Sequence, residues 1–154
     1  MADRTKLFLE DLAEGMRFAA GPLPVEAEEV AAFAARYDPQ PFHLDDAAAR
    51  GTLFGGLAAS GWHTAALTMR LVTEALPFAA GVVGAGGEIR WPRPTRPGDE
   101  LRVECEVVGV EPSRSRPGEG WATVRTTTLN RAGEPVQVLT ARLLVPRRPT
   151  PDAG

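Results

Sequence analysis

The first half of the chain is patterned for helices and the second half for strands. From Glu26 the apolar residues Val30, Phe33, Ala34 and Tyr37 recur at helical spacing. Glu26, Glu28 and Glu29 fall in the first turns, where the partial positive charge of a helix N-terminus favours carboxylates. This helix is expected to end at Tyr37, because Asp38 precedes Pro39 and a residue before proline is driven out of the α region. A short helix is expected from Asp45 or Asp46 to Arg50, capped by either aspartate. A longer one is expected from Gly61 to Leu76, with Ser60 as its N-cap and Pro77 as its stop. Trp62, Ala65, Ala66, Met69, Val72 and Thr73 are expected to mark its buried face.

Strands are expected over Met16–Ala20, Val82–Trp91, Glu100–Val110, Trp121–Asn130 and Val136–Val145, which alternate or are rich in Val, Leu and Thr. Gly21-Pro22-Leu23-Pro24 is expected to end the first of these. Arg131-Ala132-Gly133-Glu134 has the composition of a tight hairpin turn. Glu111–Gly120, with two prolines and two glycines, is expected to be a longer and mobile hairpin loop. Arg147–Gly154 is polar and proline-rich, and is expected to form a disordered tail behind one domain spanning residues 1–146. Strands joined by short turns pair antiparallel. One long helix must bury its apolar face on that sheet, which gives an α+β class.

Composition narrows the function. The chain has 154 residues, 44% hydrophobic and 24% charged, which suits a globular core that needs no metal or disulfide. Cys105 is the single cysteine, in keeping with a reducing compartment and a cytoplasmic location. The net charge is -3, and no basic run interleaved with aromatics points to nucleic acid. Met1–Lys6 lacks a following apolar stretch, which argues against a secretory leader, and no apolar stretch is long enough to span a bilayer.

Candidate chemistry centres on Tyr37-Asp38-Pro39-Gln40-Pro41-Phe42-His43-Leu44-Asp45. Two prolines fix two φ angles and forbid a regular helix, so the segment is expected to be a stiff, non-helical bridge. It holds a carboxylate and an imidazole five positions apart, and a rigidly placed acid–base pair is what adding or removing water needs. Taken by itself the stretch reads rather as an ordinary loop, with Asp38 as a cap or in a turn and His43 at the surface. Ser60 reads as a cap rather than a nucleophile, since the Gly-x-Ser-x-Gly elbow is absent. His63 reads as a hydrogen-bonded helix residue, with a place in a ligand pocket as the alternative. The two histidines lie twenty positions apart with no cysteine or carboxylate at ligand spacing, so no metal site is expected.

Larger patterns resemble a known family. The MaoC-like, (R)-specific enoyl-CoA hydratases carry a motif close to D-x-N-P-x-H-x-D, on which Asp38, Pro41, His43 and Asp45 fall, with Gln40 in place of the usual Asn. Phe54–Gly61 is similar to the family's approach to its central helix, and Ser60-Gly61-Trp62-His63 matches a branch of it. Trp91–Leu101 and Phe8–Gly15 resemble two further family stretches, so the likeness runs from Phe8 to Val145. It implies a hotdog fold, a bent antiparallel sheet wrapped around one long central helix, in a homodimer or higher homo-oligomer. It implies a hydro-lyase acting on an acyl-CoA thioester, with coenzyme A entering as part of the substrate and no other cofactor. Asp38 and His43 would hold the water, which of them is the base being left open. The N–H of Gly61 would meet the thioester oxygen beside Ser60 and Trp62, although tight packing at the helix entry explains the glycine equally well. Arg90, Arg93 and Arg96 would meet coenzyme A phosphates, or form a solvated charged loop. Leu53, Phe54, Trp62 and Met69 would set pocket depth. A non-catalytic acyl-CoA binder is the alternative. Thioester hydrolysis would want a carboxylate on the central helix, and between Gly61 and Leu76 only Glu74 qualifies, far from the N-terminal end.

Overall fold

The computed structural model describes residues 5–151. Met1–Arg4, most of the segment read for a leader, and residues 152–154 of the expected tail lie outside the described residues. A 3-10 turn at Leu9–Asp11 leads into β1 (Arg17–Pro24). Then come α1 (Ala27–Tyr37), α2 (Pro41–Leu44), α3 (Asp46–Ala49) and the central helix α4 (Gly61–Ala75). Four strands follow: β2 (Val83–Arg90), β3 (Glu100–Pro112), β4 (Glu119–Leu129) and β5 (Pro135–Pro146). They form one antiparallel sheet in the order β1-β3-β4-β5-β2.

Alternation sets which side of the sheet meets α4. Leu101, Val103, Cys105 and Val107 of β3 and Ala122, Val124, Thr126 and Thr128 of β4 are buried. All of these but the two threonines join Leu67, Leu71 and Ala75 of α4 in one apolar cluster that also takes in Val30 of α1. Each large aliphatic side chain removed from water there contributes about 1.5–3 kcal/mol. β1 and β2 are the two edge strands.

Five local expectations are revised. β1 does not stop at Gly21 but runs to Pro24 through a register shift between Ala20 and Leu23, since an edge strand tolerates proline. The expected loop at Glu111–Gly120 shrinks to residues 113–118, because Glu111 pairs with Trp121 and Pro112 with Gly120. Arg148 of the expected tail is tied down: its N–H donates to Glu10 Oε2 at 2.8 Å and its guanidinium pairs with Asp11. The segment after Asp38 is not wholly non-helical. Pro41–Leu44 forms one helical turn with Pro41 at its first position, where proline's missing N–H has no partner to lose.

The fifth revision concerns the buried face of α4. Trp62, Ala66, Met69 and Thr73 point outward, Trp62 being 62% exposed. His63, Thr64, Leu67, Thr68, Leu71, Val72 and Ala75 point inward. Buried threonines are tolerated because they are hydrogen-bonded in pairs: Thr64 Oγ1 donates to Thr95 Oγ1 at 2.9 Å, and Thr68 and Thr128 hydroxyls meet at 2.7 Å.

Candidate active site

Asp38 is the C-cap of α1, and its own N–H donates to Ala34 O at 2.9 Å. Its carboxylate is held from two sides. Gln40 Nε2 donates to Oδ1 at 2.5 Å and Ser60 Oγ donates to Oδ2 at 2.7 Å. Burial pushes this carboxyl up, but the hydrogen bonds from Ser60 and Gln40 and the nearby His43 ring outweigh it, so the net pKa is lowered. The longer amide of Gln40 thus reaches the carboxylate directly.

His43 sits on α2 and is buried, 5% exposed. Its Nδ1 lies 2.6 Å from Ala58 O. A carbonyl oxygen only accepts, so Nδ1 carries the proton and, in the neutral ring, Nε2 presents its lone pair. Nε2 stands 3.5 Å from Asp38 Oδ2. Phe42 and Phe54 flank the imidazole at ring distances of 4.6 and 5.7 Å. Two acceptors facing one another at that distance suit a shared water that donates a proton to each.

Ser60 does two things at once. Its Oγ accepts from Trp62 N at 3.2 Å, the expected cap, while its hydroxyl proton goes to Asp38. The second bond spans 22 positions and has no local signal in the sequence. Gly61 opens α4, so its N–H has no partner within the helix. A Cβ on Gly61 would come within 2.8 Å of the Trp91 ring, so the glycine is required by close packing whatever else its amide does. His43, Gly61, Phe54, Thr64, Trp91 and Arg93 all line one cleft of about 340 Å³.

The remaining sequence candidates separate. Arg93 lines the cleft and pairs with Glu134 at 3.2 Å. Arg90 lies on the exposed strand β2, 3.6 Å from Glu88. Arg96 is used differently from expectation: it donates to Gly56 O at 2.9 Å, to Leu57 O at 3.3 Å and to Phe54 O. It staples the loop that carries Phe54, which takes it out of the set facing phosphate. Trp62 meets Trp91 edge to face at 5.4 Å, outside the cleft lining. His63 is buried, stacked on Phe33 at 4.7 Å and 3.6 Å from Glu29 Oε1, so it ties α1 to α4. Burial lowers its pKa against the pull of Glu29. No helix among the described residues is long and apolar enough to cross a membrane.

A bent five-stranded antiparallel sheet around one central helix is the hotdog fold, and comparison with known proteins agrees. Residues 12–130 match the MaoC like domain, and the chain belongs to that family of MaoC-like dehydratases. It is 59% identical to a MaoC-like dehydratase from Rhodospirillum rubrum, with a TM-score of 0.91 over 94% of this chain and 99% of that one. The (R)-hydratase PhaJ1 from Pseudomonas aeruginosa aligns at 28% identity and a TM-score of 0.73 over 93% of this chain and 88% of that one. The uncharacterized protein YdeM of Bacillus subtilis is 31% identical over 79% of this chain and 86% of its own length.

Proposed function

We propose that this protein reversibly hydrates trans-2-enoyl-CoA thioesters to (3R)-3-hydroxyacyl-CoA, with Asp38 and His43 acting on one water. The observation that carries this reading is the 3.5 Å approach of His43 Nε2 to Asp38 Oδ2, with the ring's other nitrogen committed to Ala58 O. Asp38, with its lowered pKa, stays ionised and orients the water. As the water oxygen bonds C3, Nε2 takes the water proton and the C2=C3 π pair moves onto the thioester oxygen. The Gly61 N–H at the start of α4 is the donor for that developing charge, helped by the helix dipole. The proton on Nε2 is then delivered to C2 as the carbonyl re-forms, which balances the reaction without another reagent. Arg93, at the cleft's rim, is the arginine best placed for coenzyme A phosphate.

Two features of the relatives support the assignment: the family is that of MaoC-like dehydratases, and one structural neighbour is an (R)-hydratase. The test follows crotonyl-CoA through loss of its enoyl thioester absorbance, with product stereochemistry checked by an (R)-specific dehydrogenase. Loss of absorbance with (3R) product is the expected result. Release of free thiol instead would mean hydrolysis. Binding without turnover would mean a non-catalytic acyl-CoA protein.

A further inference from the structure

A second, smaller cavity lies beside the catalytic cleft. It is apolar, about 60 Å³, and is lined by Met69 and Val72 of α4 and Leu139, Ala141 and Leu143 of β5, among others. Thr64 lines the cleft and Thr68, one helical turn later, lines this cavity. The two spaces therefore follow one another along the inner face of α4. An acyl chain with its thioester at Gly61 would run from the first into the second if nothing intervened.

Something does intervene. Trp91 lies against Gly61, and its Nε1 donates to Gln137 Oε1 at 2.9 Å. Gln137 is fully buried and stands on the same face of β5 as Leu139, two residues before it. Its neighbour across the ladder is Thr128, whose hydroxyl meets Thr68 at 2.7 Å. Gly61, Trp91, Gln137, Thr128 and Thr68 thus make a belt from α4 across the sheet and back. A methylene chain crossing it would have to part the Trp91–Gln137 and Thr68–Thr128 bonds, and an aliphatic segment offers those groups nothing in return.

We infer that the Trp91–Gln137 bond closes the acyl end of the cleft, so that this protein selects short-chain enoyl thioesters over longer ones. The inference rests on the hydratase reading of the cleft and adds the substrate class. Gln137 is the informative position, because its Nε2 is buried without a partner. Truncating it removes that orphan and frees only the Trp91 N–H, on a ring that is 39% exposed.

The experiment measures kcat/KM for trans-2-enoyl-CoAs of four, six, eight and ten carbons. A pocket that is one methylene too short discriminates by roughly 10–200-fold. The wild-type protein should therefore lose roughly tenfold or more at each two-carbon step. Gln137→Ala should raise the six- to four-carbon ratio by about tenfold, and adding Leu139→Phe, which fills the second cavity, should reverse the gain. A wild-type profile that is flat or rises with length overturns the inference, as does an unchanged ratio in folded Gln137→Ala. If no enoyl-CoA reacts, the hydratase reading fails separately. Calorimetric affinities for saturated acyl-CoAs of the same lengths then decide the wall: falling with length upholds it, and level or rising overturns it.

Discussion

Asp38 feels opposing influences whose balance can be read by titration. Burial disfavours its charge, while the Ser60 hydroxyl, the Gln40 amide and the His43 ring favour it, and the second group prevails. A carboxyl whose folded pKa lies below its unfolded value stabilises the fold above the unfolded value of 3.8 and loses that contribution as pH falls through the folded pKa. Ser60→Ala removes one of those donors and the α4 cap together. It should cost about 1 kcal/mol from the cap alone and should raise the pKa that limits activity on the acid side. Thermal melts and a kcat/KM–pH profile check both parts; an unshifted acid limb would show that Ser60 serves only as a cap. Arg96 makes a contrasting case. Arg96→Ala leaves carbonyls of residues 54, 56 and 57 without their donor. Losing such partners costs about 1–3 kcal/mol, so the variant should melt earlier. Its coenzyme A affinity, measured by calorimetry, should fall less than that of Arg93→Ala.

At the scale of elements, most of the architecture was legible because local signals and tertiary needs agree. Ser60 before a helix, Pro77 after it and Gly133 in a hairpin turn each act through their own backbone. The face of α4 was not legible. Trp62 and Met69 are the bulkier apolar side chains, yet Thr64 and Thr68 turn inward, because their hydroxyls find Thr95 and Thr128 at sequence separations of 31 and 60. Asp38 and His43 could be named from the prolines and the motif. The Ser60 bond that holds the carboxylate, the Ala58 carbonyl that sets the tautomer and the inward turn of Arg96 depend on chain segments brought together only by folding. The junction of α1 with α4 carries its own pH signature. His63 has a folded pKa lowered by burial from 6.5 despite the pull of Glu29. The unfolded chain therefore binds the proton more readily, and the contribution is full above 6.5 and lost as pH falls through the lower folded value. His63→Leu should flatten the dependence of Tm on pH between about 7 and 5. A wild-type slope in that variant would place the titration elsewhere.

At the scale of the whole molecule, the strand β2 edge is open and its residues are nearly all exposed. Trp62, Met69, Val83 and Trp91 add exposed apolar surface. An open edge and a hydrophobic patch are both removed by pairing with a second copy. The expected state is at least a homodimer at micromolar concentration, and Val83→Arg together with Met69→Glu should shift it toward monomer in light scattering; a monomeric wild-type mass would contradict this. Whatever the assembly, the central claim is that Asp38 and His43 act as a unit on one water, and the double-mutant cycle of enoyl-CoA hydration tests it most directly. With folding verified by circular dichroism, Asp38→Asn and His43→Ala should each lower kcat/KM by roughly 10²–10⁴-fold. The double variant should be little worse than the weaker single, since groups serving one step are not additive. Wild-type hydration by either single variant, or losses that multiply in the double, would contradict the account.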